Sequence, residues 1–179
     1  EIAQRCPAVL LEPMLGMSQQ SGSAGLGQEL IAFLVVTLKD PRELKAVFHA
    51  ASTWSALLEA AVSSGSNPEA LAALPLAQLL QQMLWSMVRL ELSDIQSQKV
   101  MGEVAAVLRS LTSARLPEAM RAQGAEAVKQ GLVAALPGLR SDAAPSQVLE
   151  ALGKAAPIKD VKTTLHRCAT EWRKDCGSC

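Results

Sequence analysis

The chain has 179 residues, 49% of them hydrophobic and 19% charged, which excludes a disordered polymer and suits one folded domain or a short stack of repeats. Its 17 basic and 17 acidic side chains cancel, so no overall charge attracts nucleic acid or an anionic membrane. Aromatic residues make up only 3% and include no Tyr, which nearly excludes a base-stacking platform for single-stranded nucleic acid.

Apolar residues recur with a helical period along almost the whole chain, and the pattern predicts an all-α fold of seven or eight helices. The first helix is expected over residues 7–20, followed by the flexible break SGSAGLG. The second, over residues 26–38, is apolar on almost every side. A helix of this kind is typically packed on both sides.

The next helix has a clear start signal. Asp40 is a natural N-cap, Pro41 suits the first helical position and Glu43 completes a capping box. We expect this helix to break near Ser52 and to resume through Trp54.

The central helices carry the strongest apolar stripes. One helix begins near Leu76, Ser93 and Asp94 start the next, and Pro117 opens its partner. The residues predicted to face the core are Leu79, Leu80, Met83, Leu84, Met87, Val88, Val100, Val104, Val107, Leu108, Leu111, Met120, Val128, Leu132 and Leu136.

A short helix over residues 148–152 and a final helix from Ile158 complete the chain. The final helix aligns Val161, Leu165, Cys168 and Trp172 on one side. Residues 175–179 are expected to form a solvated tail.

The regular succession of capped helix pairs along the chain is typical of stacked helical repeats. Residues 93–139 have roughly the length of one HEAT repeat. We therefore expect residues 1–179 to form a single all-α segment, a short HEAT-like α-solenoid of antiparallel helix pairs that belongs to a longer solenoid. A compact helical bundle is the alternative.

Zinc binding is a remote alternative that depends on the cysteines near the end of the chain. Cys176 and Cys179 have the spacing of a ligand pair, but a structural zinc site needs four converging ligands. His166 and Cys168 lie two residues apart on a helix, about 200° apart around its axis, and so point to opposite sides. We expect Cys168 to fill space in the core and the terminal pair to be solvated.

No catalytic constellation is expected. His49 has no nucleophile in a recognisable turn near it, and SGSAGLGQE lacks the lysine and the preceding strand of a phosphate loop. The carboxylates are scattered at helix starts and on polar faces. The sequence therefore predicts a protein with no catalytic residue, no cofactor and no small-molecule substrate.

The clearest local excess of basic over acidic side chains lies near the end of the chain. Residues 154–174 contain six basic side chains and two acidic ones. A basic helix face of this kind binds an acidic protein or RNA, or is simply solvated. The residues that we expect to bind a partner are Lys159, Lys162, Arg167 and Arg173.

The expected cellular location depends on features that the sequence does not contain. We expect no membrane-spanning helix, because no continuous apolar stretch reaches about 20 residues. Four cysteines are too few for a disulfide framework, and the first residues lack the pattern of a signal peptide. An intracellular location is expected.

Two stretches, FLVVTLKDPRELKAVFHAAS and IKDVKTTLHRCATEWRK, together resemble the C-terminal region of a β-karyopherin of the exportin type. The resemblance implies a HEAT-repeat transport receptor that moves between nucleus and cytoplasm. It also implies a protein or protein–RNA cargo, and control by the GTPase Ran through repeats upstream of this segment. No binding residue of the family is carried over to a position in this chain. An independent helical scaffold is the other hypothesis.

Overall fold

The predicted all-α fold is confirmed by a computed structural model, which describes residues 29, 32–39, 42–63, 76–91, 93–136, 143–154 and 156–176. These residues form helices and turns, with no strand among them. A short helix over residues 32–37 precedes six longer ones: α1 (Leu44–Ser63), α2 (Leu76–Arg89), α3 (Ile95–Leu111), α4 (Glu118–Ala135), α5 (Ala143–Gly153) and α6 (Ile158–Cys176).

Some expectations lie outside the described residues. They are the helix over residues 7–20, the glycine-rich break, the cap formed by Asp40 and Pro41, and the last three residues of the chain. Of the expected tail, residues 175–176 belong to α6, which ends at Cys176.

The predicted helix starts are confirmed where the structure describes them. Asp94 is the N-cap of α3, and its carboxylate accepts a hydrogen bond of 2.9 Å from the backbone N–H of Ser97. Pro117 is the N-cap of α4, one position before the first helical residue. Its fixed φ suits the entry to the helix, and the missing N–H costs nothing there.

The expected break near Ser52 is wrong, because α1 runs without interruption from Leu44 to Ser63. The Thr53 hydroxyl donates a hydrogen bond of 2.8 Å to the carbonyl of His49, inside the helix. Such a bond satisfies a polar side chain without ending the helix. Trp54, Leu57 and Leu58 then continue the buried side of the same helix.

The predicted apolar stripes of α2, α3, α4 and α6 are confirmed, since each residue of these stripes is buried in one common core. In α1, Val47 and Ala51 are buried, whereas Leu44 and Phe48 are half-buried at the edge of the core. Burial of a large aliphatic side chain stabilises a fold by about 1.5–3 kcal/mol. The stripes are therefore the main source of stability.

The helices form two layers. In one layer α3 lies between α1 and α6; in the other α4 lies between α2 and α5. α1 and α3 run in the same direction, because Ser55 bonds to Glu103 while Glu59, one turn later, shares a cleft with Arg109. This two-layer packing of α1 to α4 is compatible with stacked helix pairs and with a compact helical bundle.

The last pair does not continue this stacking. Ile158, at the start of α6, lies near Ser110 and Ser113 at the end of α3. Arg173, near the end of α6, bonds to the carbonyls of Val88 and Leu90, which lie just before α3 begins. α6 is therefore antiparallel to α3 and closes this side of the stack.

The helix over residues 32–37 lies beside α2, where the buried Ser86 hydroxyl donates a hydrogen bond to the carbonyl of Leu38. Its Leu34 and Val35 are buried, but Phe33 is 66% exposed and Val36 61% exposed. The prediction that this helix is packed on both sides is therefore wrong for the described residues.

Among the described residues, no helix is both long enough and apolar enough to cross a membrane.

Candidate protein-interaction surface

The basic residues of α6 share one side of the helix. At about 100° per residue they fall within an arc of about 140°, while the buried stripe from Val161 to Trp172 occupies about 60° on the opposite side. Asp160 and Glu171 lie at one margin of the basic arc. The basic side chains of this arc are Lys159, Lys162, Arg167, Arg173 and Lys174.

The four predicted binding residues are not equivalent in the structure. Lys159 and Arg167 are exposed, and Lys162 is half-buried. Arg173 is half-buried, with its Nε donating a hydrogen bond of 2.9 Å to the carbonyl of Val88 and an Nη donating to Leu90. The Arg173 guanidinium therefore satisfies carbonyls that the end of α2 leaves without helical partners.

Two further arginines approach the start of α6 from α3. Arg109 in the last turn of α3 and Arg115 in the following loop line a cleft of about 280 Å³ together with Ile158. Both arginines are exposed, and among the described residues neither guanidinium has a hydrogen-bond or ion-pair partner. We call Arg109, Arg115, Lys159, Lys162 and Arg167 together the basic surface. Lys159 and Lys162 lie within about one turn of Ile158, whereas Arg167 lies further along α6, about 180° around the helix axis from Ile158.

The remaining wall of the cleft comes from α1 and from the serines of α3 and its loop. Ser55 and Glu59 stand on the α1 side, and Ser110 and Ser113 on the α3 side. The Ser113 hydroxyl accepts a hydrogen bond of 3.3 Å from the backbone N–H of Arg115, which holds the loop in place. The cleft thus combines two cations, one carboxylate and several hydroxyls.

One carboxyl beside this cleft has a shifted pKa. Burial between α1 and α3 raises the pKa of Glu103 above its ordinary value, and a hydrogen bond with the Ser55 side chain partly offsets the rise. The burial disfavours the charged form of this carboxyl.

The structure confirms that Cys168 is buried, at 1% exposure, whereas His166 on the other side of α6 is half-buried. Burial raises the pKa of the Cys168 thiol to about 11, with Glu171 adding to the rise. This thiol is neutral near pH 7 and suits a core, not a metal. Neither the Cys176 side chain nor Cys179 is among the parts described, and the described residues contain no group of three or more metal-binding side chains.

A second, larger cleft of about 690 Å³ lies between α4 and α5. Ala122, Ala125 and Leu149 contribute apolar surface, and the charged groups around them are of both signs. No excess charge favours a particular partner, and nothing in the described residues shows what covers this cleft.

Arg109 and Arg115 were not predicted from the sequence as members of the surface. The signal available was RSLTSAR, a polar loop with an arginine at each end. These arginines are more than 40 residues away from α6 along the chain, so only the antiparallel packing of α6 on α3 brings them together.

Comparisons of this chain with protein-family models, with curated proteins and with solved structures find no match.

Proposed function

We propose that this protein is a non-enzymatic helical interaction module and that its basic surface binds an acidic segment of a partner protein. The observation that carries the proposal is the basic surface itself. It collects five cationic side chains from two helices and a loop of a chain whose net charge is zero.

The composition of the surface favours an acidic polypeptide over RNA. Trp172 is the only Trp, Phe or Tyr on α6, and it is buried, while the smaller ring of His166 is half-buried, so this helix presents no large exposed ring on which a base would stack. Asp160 at the margin and Glu59 in the cleft would repel a continuous phosphate backbone. A peptide with spaced carboxylates avoids both acidic groups.

A transport receptor of the exportin type remains our proposal for the class of protein, with an intracellular location between nucleus and cytoplasm, a protein or protein–RNA cargo, and Ran acting on repeats outside this segment. Two features support a place at the end of a longer solenoid. α6 packs across one side of the two layers, and Phe33 and Val36 expose apolar surface on the short helix beside α2. Terminal repeats of solenoids are commonly atypical in this way.

Titration of a fluorescent peptide of Glu and Ser tests the acidic-partner proposal. We expect the peptide to bind the wild-type chain with an affinity that falls as salt increases, because the charges are screened. Reversing the charge of Lys159, Lys162 and Arg167 to Glu should weaken binding by about tenfold or more.

The matched control reverses three exposed charges elsewhere, at Lys45, Arg121 and Lys129, and so makes the same change in net charge. This control should bind the peptide nearly as well as the wild-type chain. The proposal would be contradicted if both variants lost peptide affinity equally. It would also be contradicted if the wild-type chain bound a single-stranded RNA of equal charge more tightly than the peptide.

An independent helical scaffold is the second candidate. The reversed packing of α6 on α3 favours it, because a free-standing bundle has to close its own core. Reading the open reading frame upstream of residue 1 separates the two candidates. Further capped helix pairs would support the receptor, and a start codon within a few residues would support the scaffold.

A further inference from the structure

The cleft at the start of α6 has a lining that suits one kind of peptide anchor. Arg109 and Arg115 bring two guanidinium groups to its edge, and Ile158 adds an apolar side chain that is 39% exposed. The cleft lies at the end of the basic arc, since Lys162 follows Ile158 by one helical turn. A peptide bound along α6 would therefore reach it.

We propose that this cleft anchors the acidic partner segment by holding an acidic residue followed directly by an aliphatic one. The carboxylate of the acidic residue binds Arg109 and Arg115, and the aliphatic side chain packs on Ile158. This inference rests on the proposed function and identifies the part of the partner that gives binding its sequence preference.

The polar groups of the cleft support this occupant. A carboxylate matches the planar fork of an arginine, which makes two parallel hydrogen bonds to it. The Ser110 hydroxyl is half-buried and has no hydrogen-bond partner among the described residues, so it is available as a further donor. Glu59 on the opposite wall is available to accept a hydrogen bond from a backbone N–H of the bound peptide.

The volume of the cleft limits how much of a peptide can bind inside it. At about 280 Å³ it lies just below the range of small-molecule pockets, which begins at about 300 Å³. It is too small for a helix but large enough for two side chains. The cleft is also pre-formed in part, because the Ser113 hydroxyl and carbonyl accept hydrogen bonds from the N–H groups of Arg115 and Leu116.

The test uses two peptides of Glu and Ser that differ only at the centre, one with Glu-Leu and the other with Glu-Gly. We expect the wild-type chain to bind the Glu-Leu peptide roughly three- to tenfold more tightly. Ile158→Ala should abolish this preference, so that the two peptides bind the variant with equal affinity. Arg109→Ala with Arg115→Ala should weaken both peptides by about tenfold.

Circular dichroism shows that each variant is folded, and Arg121→Ala with Lys129→Ala is the matched control, since both residues are exposed on α4. The anchor is wrong if the Glu-Leu preference survives Ile158→Ala. It is also wrong if the double arginine variant binds both peptides normally while charge reversal on α6 abolishes binding. In either case the proposed function stands. If neither peptide binds the wild-type chain, the proposed function fails and the anchor fails with it.

Discussion

Gly124 on α4 lies where this helix crosses the end of α3. A Cβ atom at this position would overlap the carbonyl oxygen of Leu111, which is backbone and cannot rotate away. Gly131, two turns further along, faces α2, where a Cβ would come within 3.0 Å of the Leu80 side chain. The absence of side chains at these two positions allows α4 to pack closely against both neighbours.

Gly124→Ala should therefore destabilise the protein by about 1–3 kcal/mol, the usual cost of overpacking. Gly102→Ala is the matched control, because Gly102 lies within α3 with nothing near its missing Cβ. That control should gain about 0.5–1 kcal/mol from better helix propensity. Urea denaturation measures both changes, and equal stability of the two variants would contradict the close packing.

Glu103 gives the protein a specific dependence on pH. Because burial raises its pKa in the folded chain, the native state binds this proton more tightly than the unfolded state. Its contribution to stability is full below about pH 4.5, the ordinary value, and is lost as pH rises through the raised native pKa.

Glu103→Gln removes this titration and should raise the melting temperature at pH 7, with a gain that shrinks as the pH falls through the raised native pKa towards 4.5 and stays constant below it. Thermal melts of both proteins across this range measure the effect. Glu59→Gln changes an exposed carboxylate and serves as the control. A gain that is independent of pH would show that the pKa of Glu103 is not raised.

At the scale of helices, the sequence was sufficient for the stripes and for the caps at Asp94 and Pro117, because both depend on short-range spacing. It was not sufficient for the continuity of α1 through Ser52, where a break was expected. Thr53 bonds to the carbonyl of His49 instead, and the neighbouring Trp54 is fully buried. The burial of Trp54 in the core outweighed any local tendency of the sequence to break the helix.

The contact between α6 and the end of α2 depends on Arg173. Its guanidinium donates hydrogen bonds to the carbonyls of Val88 and Leu90, and removing it would take away both bonds. Arg173→Met retains most of the aliphatic stem and should cost about 1.5–3 kcal/mol. Lys174→Met, a change at an exposed neighbour, should cost little.

Amide hydrogen exchange measures where this stability is lost. We expect faster exchange in α6 and at the end of α2 in the Arg173→Met protein, while α1 keeps its protection. Uniformly faster exchange, or no change in α6, would contradict a role of Arg173 in holding α6 in place.

For the whole molecule, the sequence predicted the fold class and the basic character of α6, since both follow from periodicity and local charge. It did not predict that α6 turns back along α3, because this depends on long-range packing. Arg173 was predicted to bind a partner, but this packing brings its guanidinium to carbonyls of the same chain. The same packing places Arg109 and Arg115 beside the start of α6.

The most direct test of the interaction surface is an NMR titration of the wild-type chain with the Glu-Leu peptide. We expect the amide signals that shift to cluster in α6, in the last turn of α3 and in the loop over residues 112–117. Shifts that cluster instead around Ala122 and Leu149 in the cleft between α4 and α5, or no shifts at saturating peptide, would contradict the account.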